Sequence, residues 1–372
     1  MRAILRASSF KLDSMKRHLL LLLALRGFLF AAADPGVEPL PEAVSNNAVA
    51  ILKVKGQAEL FSLMGIGPKK TWDSVTNMAY QLDTDSGKVY SIHAVPGTAG
   101  RVGAMAVGAA NHVFLMGGYV LFERGGMAVP DVGKYEPEHD RWFRQSDLPV
   151  AVGEAVIGVY RDRYIYLVGG RTNGGPVTDV QMYDLDKNRW SKATPIGTAV
   201  FGHAGALVGD TIVYVDGAVR NPEGNSARFV ASDECWSGKI NHHDPTKIEW
   251  TKLPPHPGTA RFRIAAGGSE RDEKIYFSGG SDSPHDNAGI GYDGKPSEPS
   301  AVTFAFNLGS RKWETLDENT PDPTMDHRGL LVTKSNLVII GGMEKGQTVT
   351  SKVTALSKEA KAKSPAAGPT SP

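Results

Sequence analysis

Short apolar runs that end in glycine punctuate this chain. Residues 113–118 (VFLMGG), 164–170 (YIYLVGG), 211–217 (TIVYVDG), 274–280 (KIYFSGG) and 337–342 (LVIIGG) share the pattern. Runs this short, rich in β-branched and aromatic residues and bounded by turn residues, read as buried strands. A run of small residues precedes each, such as 103–107 (GAMAV) or 204–208 (AGALV), and a third run ending in Tyr-Asp or similar follows. Then comes a tight turn, such as Leu185-Asp186-Lys187-Asn188, in which Asp and Asn bond their own backbone. A fourth run carries a Trp and ends in Pro, with the aromatic pairs Tyr135 and Trp142, Tyr183 and Trp190, and Phe306 and Trp313.

The glycine pairs recur at spacings of 52, 47, 63 and 62 residues. A unit of four strands repeated at such a period predicts an all-β propeller. A degraded first unit is visible in 48–54, 59–65, 78–82 and 89–93, with Met64-Gly65 standing where the others have Gly-Gly. The last unit begins near Asp322 and stops after a third strand near 351–356. Residues 37–41 (VEPLP) match the strand ends Asp147-Leu148-Pro149 and Leu253-Pro254-Pro255, so they are expected to close the ring as the missing strand. The predicted fold is therefore a six-bladed β-propeller over 34–357, followed by a Lys/Ala/Pro/Ser-rich tail, 358–372, that reads as disordered.

The glycine pair after an apolar strand, the Tyr and the following Trp together resemble the kelch repeat, over roughly residues 36–356. The resemblance implies structural work for these residues: glycines for close packing, Tyr and Trp for filling space between blades.

Composition narrows the function. With 41 basic and 40 acidic residues and a net charge of +1, the chain offers no concentrated basic face for nucleic acid. The single cysteine, Cys235, excludes an internal disulfide, a cysteine-type zinc site and a CxxC redox pair. Residues 282–287 (DSPHDN) lack the spacing of a calcium loop, and no metal or cofactor is expected. At the N-terminus, Met15-Lys16-Arg17-His18, the apolar stretch 19–30 and Ala31-Ala32-Ala33 read as a signal peptide over 1–33, whose long charged lead a start at Met15 would shorten. An exported protein, periplasmic or secreted, is the expectation, with no stable membrane insertion after cleavage.

A propeller places its second-to-third strand loops and the starts of its first strands on one face. The extra residues fall there, about 25 after Asp216-Gly217 and a second insert over 281–300. Long loops on a rigid scaffold are the usual seat of binding. The second insert supplies Asp282, His285, Asn287, Tyr292 and Glu298 as candidate ligand-binding residues. The first-strand starts add Asn46 or Asn47, Arg101, Glu154, His203, Arg261 or Arg263, and His327 or Arg328. Arginines at this ring suit a carboxylate-bearing ligand, so Arg101, Arg263, Arg328 and His327 are candidate ligand contacts. Glu154 and His203 are the candidate acid/base pair.

Six blades, an export signal and N-terminal closure are similar to the sialic acid epimerase (mutarotase) family of kelch propellers. That resemblance implies an isomerase acting on a sugar, with Arg101, Arg263 and Arg328 for the carboxylate and Glu154 and His203 for ring opening. In that family a Glu directly after the fourth blade's Asn-Gly acts as the base; here the segment is Asp216-Gly217-Ala218. The alternative is a non-catalytic scaffold binding a glycan or a protein. A radical copper oxidase resembling galactose oxidase would need a Tyr cross-linked to Cys with two His ligands, and Cys235 has no such setting.

Overall fold

The computed structural model describes residues 37–54, 57–97, 100–223 and 227–361. Five four-stranded antiparallel sheets and one three-stranded sheet follow one another along the chain. The innermost strands are Ala48–Val54, Met105–Ala109, Val156–Tyr160, Ala204–Val208, Ala265–Ser269 and Leu331–Val332. The chain is thus a six-bladed propeller, as its repeat predicts. The signal-peptide segment and residues 362–372 lie outside the described residues. Residues 358–361, grouped with the tail by composition, are anchored: Lys361 N–H donates to the Leu316 carbonyl at 2.9 Å, and Lys358 pairs with Asp272.

Each blade buries both faces against its neighbours. One apolar cluster joins Phe61 and Leu63 of the first blade to Val113 and Leu115 of the second. Others join blades two and three, three and four, four and five, and five and six. Leu60 and Leu82 meet Leu331, Val338 and Ile340 to close the circle. The Trp residues add a repeated polar clasp. The indole N–H groups of Trp142, Trp190, Trp250 and Trp313 donate to carbonyls of His93, Ser146, Thr194 and Pro254, each just past the preceding blade's fourth strand. A partly buried indole thus fills inter-blade space while its polar edge is satisfied. The second glycine of each pair backs onto the start of its own blade. A Cβ at Gly118 would lie 2.8 Å from the Val102 carbonyl oxygen, and φ there is 92°.

The sixth blade has three strands among the described residues. Leu40 N–H donates to the Ser351 carbonyl at 2.9 Å. The same bond follows the fourth strand elsewhere, from Leu148 to Pro130, Ile196 to Thr178 and Thr320 to Ala301. Residues 37–40 therefore hold the position of a fourth-strand end, in agreement with their sequence likeness to those ends.

Candidate functional site

All six blades start their innermost strand by one backbone device. Ser45, Val102, Gly153, Phe201, Phe262 and Met325 each bridge to the residue after the glycine pair of their own blade. The next residue is left-handed in every case: Asn46 (φ 57°), Gly103 (65°), Glu154 (60°), Gly202 (60°), Arg263 (53°) and Asp326 (68°). Their backbones link around the channel mouth. Asn46 N–H donates to the Asp326 carbonyl, Glu154 to Gly103, Gly202 to Glu154 and Arg263 to Gly202. His327 N–H to the Arg263 carbonyl and Gly103 N–H to Asn46 Oδ1 complete the circle. Left-handed backbone is strained for a residue with a Cβ, and such strain concentrates at functional sites. Four of the six positions nevertheless keep Asn, Glu, Arg and Asp.

Those four side chains converge. Arg263 donates from Nη2 to Glu154 Oε1 at 2.8 Å and from Nε to Oε2 at 3.3 Å. Its Nη1 donates to Asp326 Oδ1 at 2.7 Å, and Asn46 Nδ2 donates to the same oxygen at 2.7 Å. Arg328 lies 3.9 Å from both carboxylates, and Arg171 lies 3.9 Å from Glu154. Burial pushes the Glu154 carboxyl up, but the guanidinium groups of Arg263, Arg171 and Arg328 outweigh it and hold the group at about 2. Asp326 is likewise raised by burial and drawn down to about 2, chiefly by Arg263. Three guanidinium groups against two carboxylates leave this cluster with an excess positive charge.

A pocket of about 640 Å³ opens on this face, lined by Glu154 and Arg171 together with Trp72, Phe122, Asn173 and Asn287. Arg171 is held ready in it. Its Nε lies 3.4 Å from the Tyr119 hydroxyl and its Nη1 3.4 Å from the Tyr292 hydroxyl. Its cation rests 4.8 Å from the Phe201 ring centre and 5.0 Å from that of Tyr119. The side chain keeps 24% of its surface exposed.

The structure therefore brings together Glu154, Arg263, Arg328, Tyr292 and Asn287 of the sequence candidates, and places the others elsewhere. Arg101 precedes its ring position by two residues and turns into the second blade, donating to the carbonyls of Gly117 and Asp131 at 2.8 and 3.2 Å. His203 follows left-handed Gly202 by one residue and directly precedes the strand Ala204–Val208. It packs edge-on to Tyr214, its ring nitrogens make no hydrogen bond, and it forms no pair with Glu154. His327 Nε2 lies 3.0 Å from the Thr324 hydroxyl. Glu298 ties the fifth-blade insert to Gln347 and Gly346 of the sixth blade. Asp282 accepts from the Glu298 N–H at 3.4 Å. His285 is fully buried against Phe262.

Sequence reasoning missed Arg171, Tyr119 and Asp326. It also missed the hairpin of the second blade, Tyr119–Phe122 with Gly125–Ala128, which carries Phe122 to the pocket wall. The one signal that pointed to the ring is the pair Gly103 and Gly202, each following an apolar residue.

Buried imidazoles give this region a pH signature. Burial lowers His203 to about 3 and His285 and His327 to about 4, against an ordinary 6.5. The unfolded chain takes up these protons below pH 6.5 and the folded chain resists until pH 4 or lower. Stability from this source is thus whole above pH 6.5 and lost as pH falls toward 4. Calorimetry should show Tm dropping across that window, with a shallower drop in His203→Leu. A flat profile counts against neutral, buried imidazoles.

Known proteins resemble the chain in keeping with this architecture. The Kelch motif matches residues 159–197, which span the second to fourth strands of the third blade with Gly169-Gly170, Tyr183 and Trp190. Kelch-like protein 15 of Gallus gallus is 33% identical over 147 residues, 35% of this chain and 30% of that protein. Kelch-like protein 26 of Danio rerio is 23% identical over 250 residues, 55% of this chain and 38% of that protein. Beta-scruin of Limulus polyphemus is 26% identical over 172 residues, covering 45% of this chain and 18% of its own length. These matches span well under half of each relative. The solved structure of YjhT superposes with a TM-score of 0.68 at 17% identity, covering 86% of this chain and 97% of YjhT, a likeness of fold. Repeat motif, relatives and six closed blades together make this chain a kelch-repeat β-propeller.

Proposed function

We propose that the loop-rich mouth binds a small anionic carbohydrate without transforming it. The observation that carries this reading is Arg171, a guanidinium clamped by Tyr119, Tyr292 and Phe201 yet open to a pocket walled by aromatic and amide side chains. A preformed cation of this kind suits a carboxylate. Trp72 and Phe122, 50% and 52% exposed, offer flat apolar faces to a sugar ring, and Asn173 and Asn287 offer amides to its hydroxyls. Catalysis is disfavoured because no acid/base pair is assembled: Glu154 is locked in the fork of Arg263, and His203 makes no bond to it. The apolar segment near the N-terminus is the basis for proposing that this binding occurs outside the cytoplasm.

Isothermal titration with N-acetylneuraminate and glucuronate, against neutral N-acetylglucosamine and glucose, tests the reading. Saturable binding of the acids alone is expected, weakened about tenfold or more in Arg171→Gln, the size of a lost charged hydrogen bond. Equal binding of neutral sugars, or none of either, would overturn it. Acceleration of anomer exchange seen by NMR would show an isomerase instead. A second reading, a protein-binding scaffold, is favoured by one observation. Trp72, Phe122 and Met127 are all about half exposed, and the first two share the pocket rim.

A further inference from the structure

The fourth-blade insert reaches the mouth as a short hairpin. Ala218–Arg220 pairs with Phe229–Ala231, and the Asn221 N–H donates to the Arg228 carbonyl at 3.1 Å. This pairing sets Arg228 beside Phe229, which is 2% exposed and packs edge-on against Phe201 and Tyr292, with ring centres 4.9 and 5.1 Å away. The Arg228 guanidinium rests over the Phe229 ring, 5.1 Å from its centre, and the residue is exposed on the wall of the mouth pocket. The Arg171 cation lies 5.9 Å from the same ring centre. The two guanidinium carbons are therefore at most about 11 Å apart, the sum of their distances to that ring.

Arg228 is uncommitted where its neighbours are not. Among the described residues its side chain makes no hydrogen bond and no ion pair. Arg220, on the same hairpin, donates from Nη2 to the Gly174 carbonyl at 2.8 Å. Lys70, on the pocket wall, donates from Nζ to the Gln347 carbonyl at 3.0 Å. Two of the wall's carboxylates are engaged as well. Glu154 is held by Arg263, and Asp286 Oδ1 accepts from the Ala288 and Ile290 N–H groups at 2.8 and 3.1 Å. The pocket thus presents two guanidinium groups with donors to spare, Arg171 and Arg228. It is also larger than one sugar needs. A cavity of about 150 Å³ holds a single benzene-sized ring, and the mouth pocket encloses about 640 Å³.

We infer that the mouth takes an acidic oligosaccharide, with the carboxylate of one sugar at Arg171 and that of a neighbouring sugar at Arg228. The inference rests on the mouth being a sugar site, and it specifies the ligand as a chain of uronate units instead of a free monosaccharide. Each carboxylate pairs with one planar guanidinium edge. Once the first acid is seated, the second meets Arg228 at the high effective concentration of a linked group. The exposed rings of Trp72 and Phe122 give the sugar units flat faces to lie on, which favours a glycan over an acidic peptide. The insert of the fourth blade thereby acquires a role, that of carrying the second cation to the pocket.

Isothermal titration of the full chain with galacturonate, digalacturonate, neutral cellobiose and a diglutamate peptide provides the test. Digalacturonate is expected to bind about tenfold or more tighter than galacturonate, the size of one added charged hydrogen bond. Arg228→Gln should bring the two affinities together. Arg220→Gln removes the same charge from the same hairpin outside the pocket lining, and should keep them apart. Arg171→Gln should weaken both ligands. Equal affinity for monomer and dimer in the native protein, or a dimer advantage that survives Arg228→Gln, would overturn the second contact and leave the mouth reading standing. Binding of neither acid would overturn both. Cellobiose bound as tightly as digalacturonate would overturn the inference because charge then plays no part. The diglutamate peptide bound as tightly would overturn it in favour of an acidic peptide.

Discussion

Arg263→Met is expected to destabilise the propeller by about 3–5 kcal/mol, the usual cost of stripping one partner from a buried ion pair. Thermal unfolding would move down by roughly 5–10 °C for a domain of this size. The side chain is 1% exposed and bridges Glu154 of the third blade to Asp326 of the sixth. Without it, Glu154 keeps as cations only Arg328 and Arg171, both at 3.9 Å, and Asp326 keeps Arg328 at 3.9 Å with hydrogen bonds from Ser45 and Asn46. Arg263→Lys should recover little, since an ammonium cannot fork between two carboxylates as a guanidinium does. The pH dependence carries a second signature. In the native protein both carboxyls sit at about 2, below their ordinary 4.5 and 3.8. Their contribution is therefore full above pH 4.5 and is lost as pH falls toward 2. In Arg263→Met the folded-state values rise, so the deficit against the native protein should shrink on acidification. A variant with native Tm, or a deficit independent of pH from 5 down to 2, would show that the pair does not bind the blades together.

The second large effect is expected at His256, which meets Asp216 where the fourth-blade insert begins. His256 Nδ1 donates to the Pro257 carbonyl at 2.8 Å, and Nε2 meets both oxygens of Asp216 at 2.8 and 2.9 Å. The ring lies flat on Phe304, with centres 4.6 Å apart. One proton is shared across the His256–Asp216 contact, so the pair is neutral overall whichever partner holds it. Asp216 is 1% exposed and occupies the left-handed position (φ 60°) that glycine fills at Gly117, Gly169, Gly279 and Gly341. Burial raises its carboxyl above the ordinary value. His256→Ala leaves that carboxyl with the Arg261 N–H at 2.9 Å as its remaining hydrogen bond, and about 3–5 kcal/mol should be lost. Adding Asp216→Gly should restore most of it, because glycine removes both the stranded charge and the backbone strain. Chemical denaturation of the four proteins of this cycle measures the coupling. Additive losses would mean that His256 acts through its stacking on Phe304 alone.

Legibility differed sharply between strands and site. Ala48–Val54 and Ala204–Val208 were readable to the residue, because an apolar run between turn residues has one way to be buried in a sheet. The repeated Trp announced inter-blade packing, and its indole bonds to the preceding blade bear that out. The channel ring was half visible. Glu154 and Arg263 could be picked out as polar residues before small-residue strands, but Arg101 and His203 sit two residues before and one residue after the equivalent position. Asp326, one residue before His327, was passed over. Nothing local distinguishes these offsets, because the bridge that aligns the blades pairs residues many positions apart and the left-handed turn tolerates Asn, Gly, Glu, Arg or Asp.

The repeat by itself determined the number of blades, the space-filling role of the Trp residues and the face expected to carry the loops. These depend on short-range pattern, and pattern survives in a one-dimensional string. Only the tertiary structure decided which charges meet. Glu154, Arg263, Asp326 and Arg328 come from three blades and are brought within 4 Å by closure of the circle. Closure also made His256 the partner of Asp216. Such contacts are set by geometry summed over the whole circle of blades, where a shift of one residue at a strand start turns a side chain from the channel mouth into the blade.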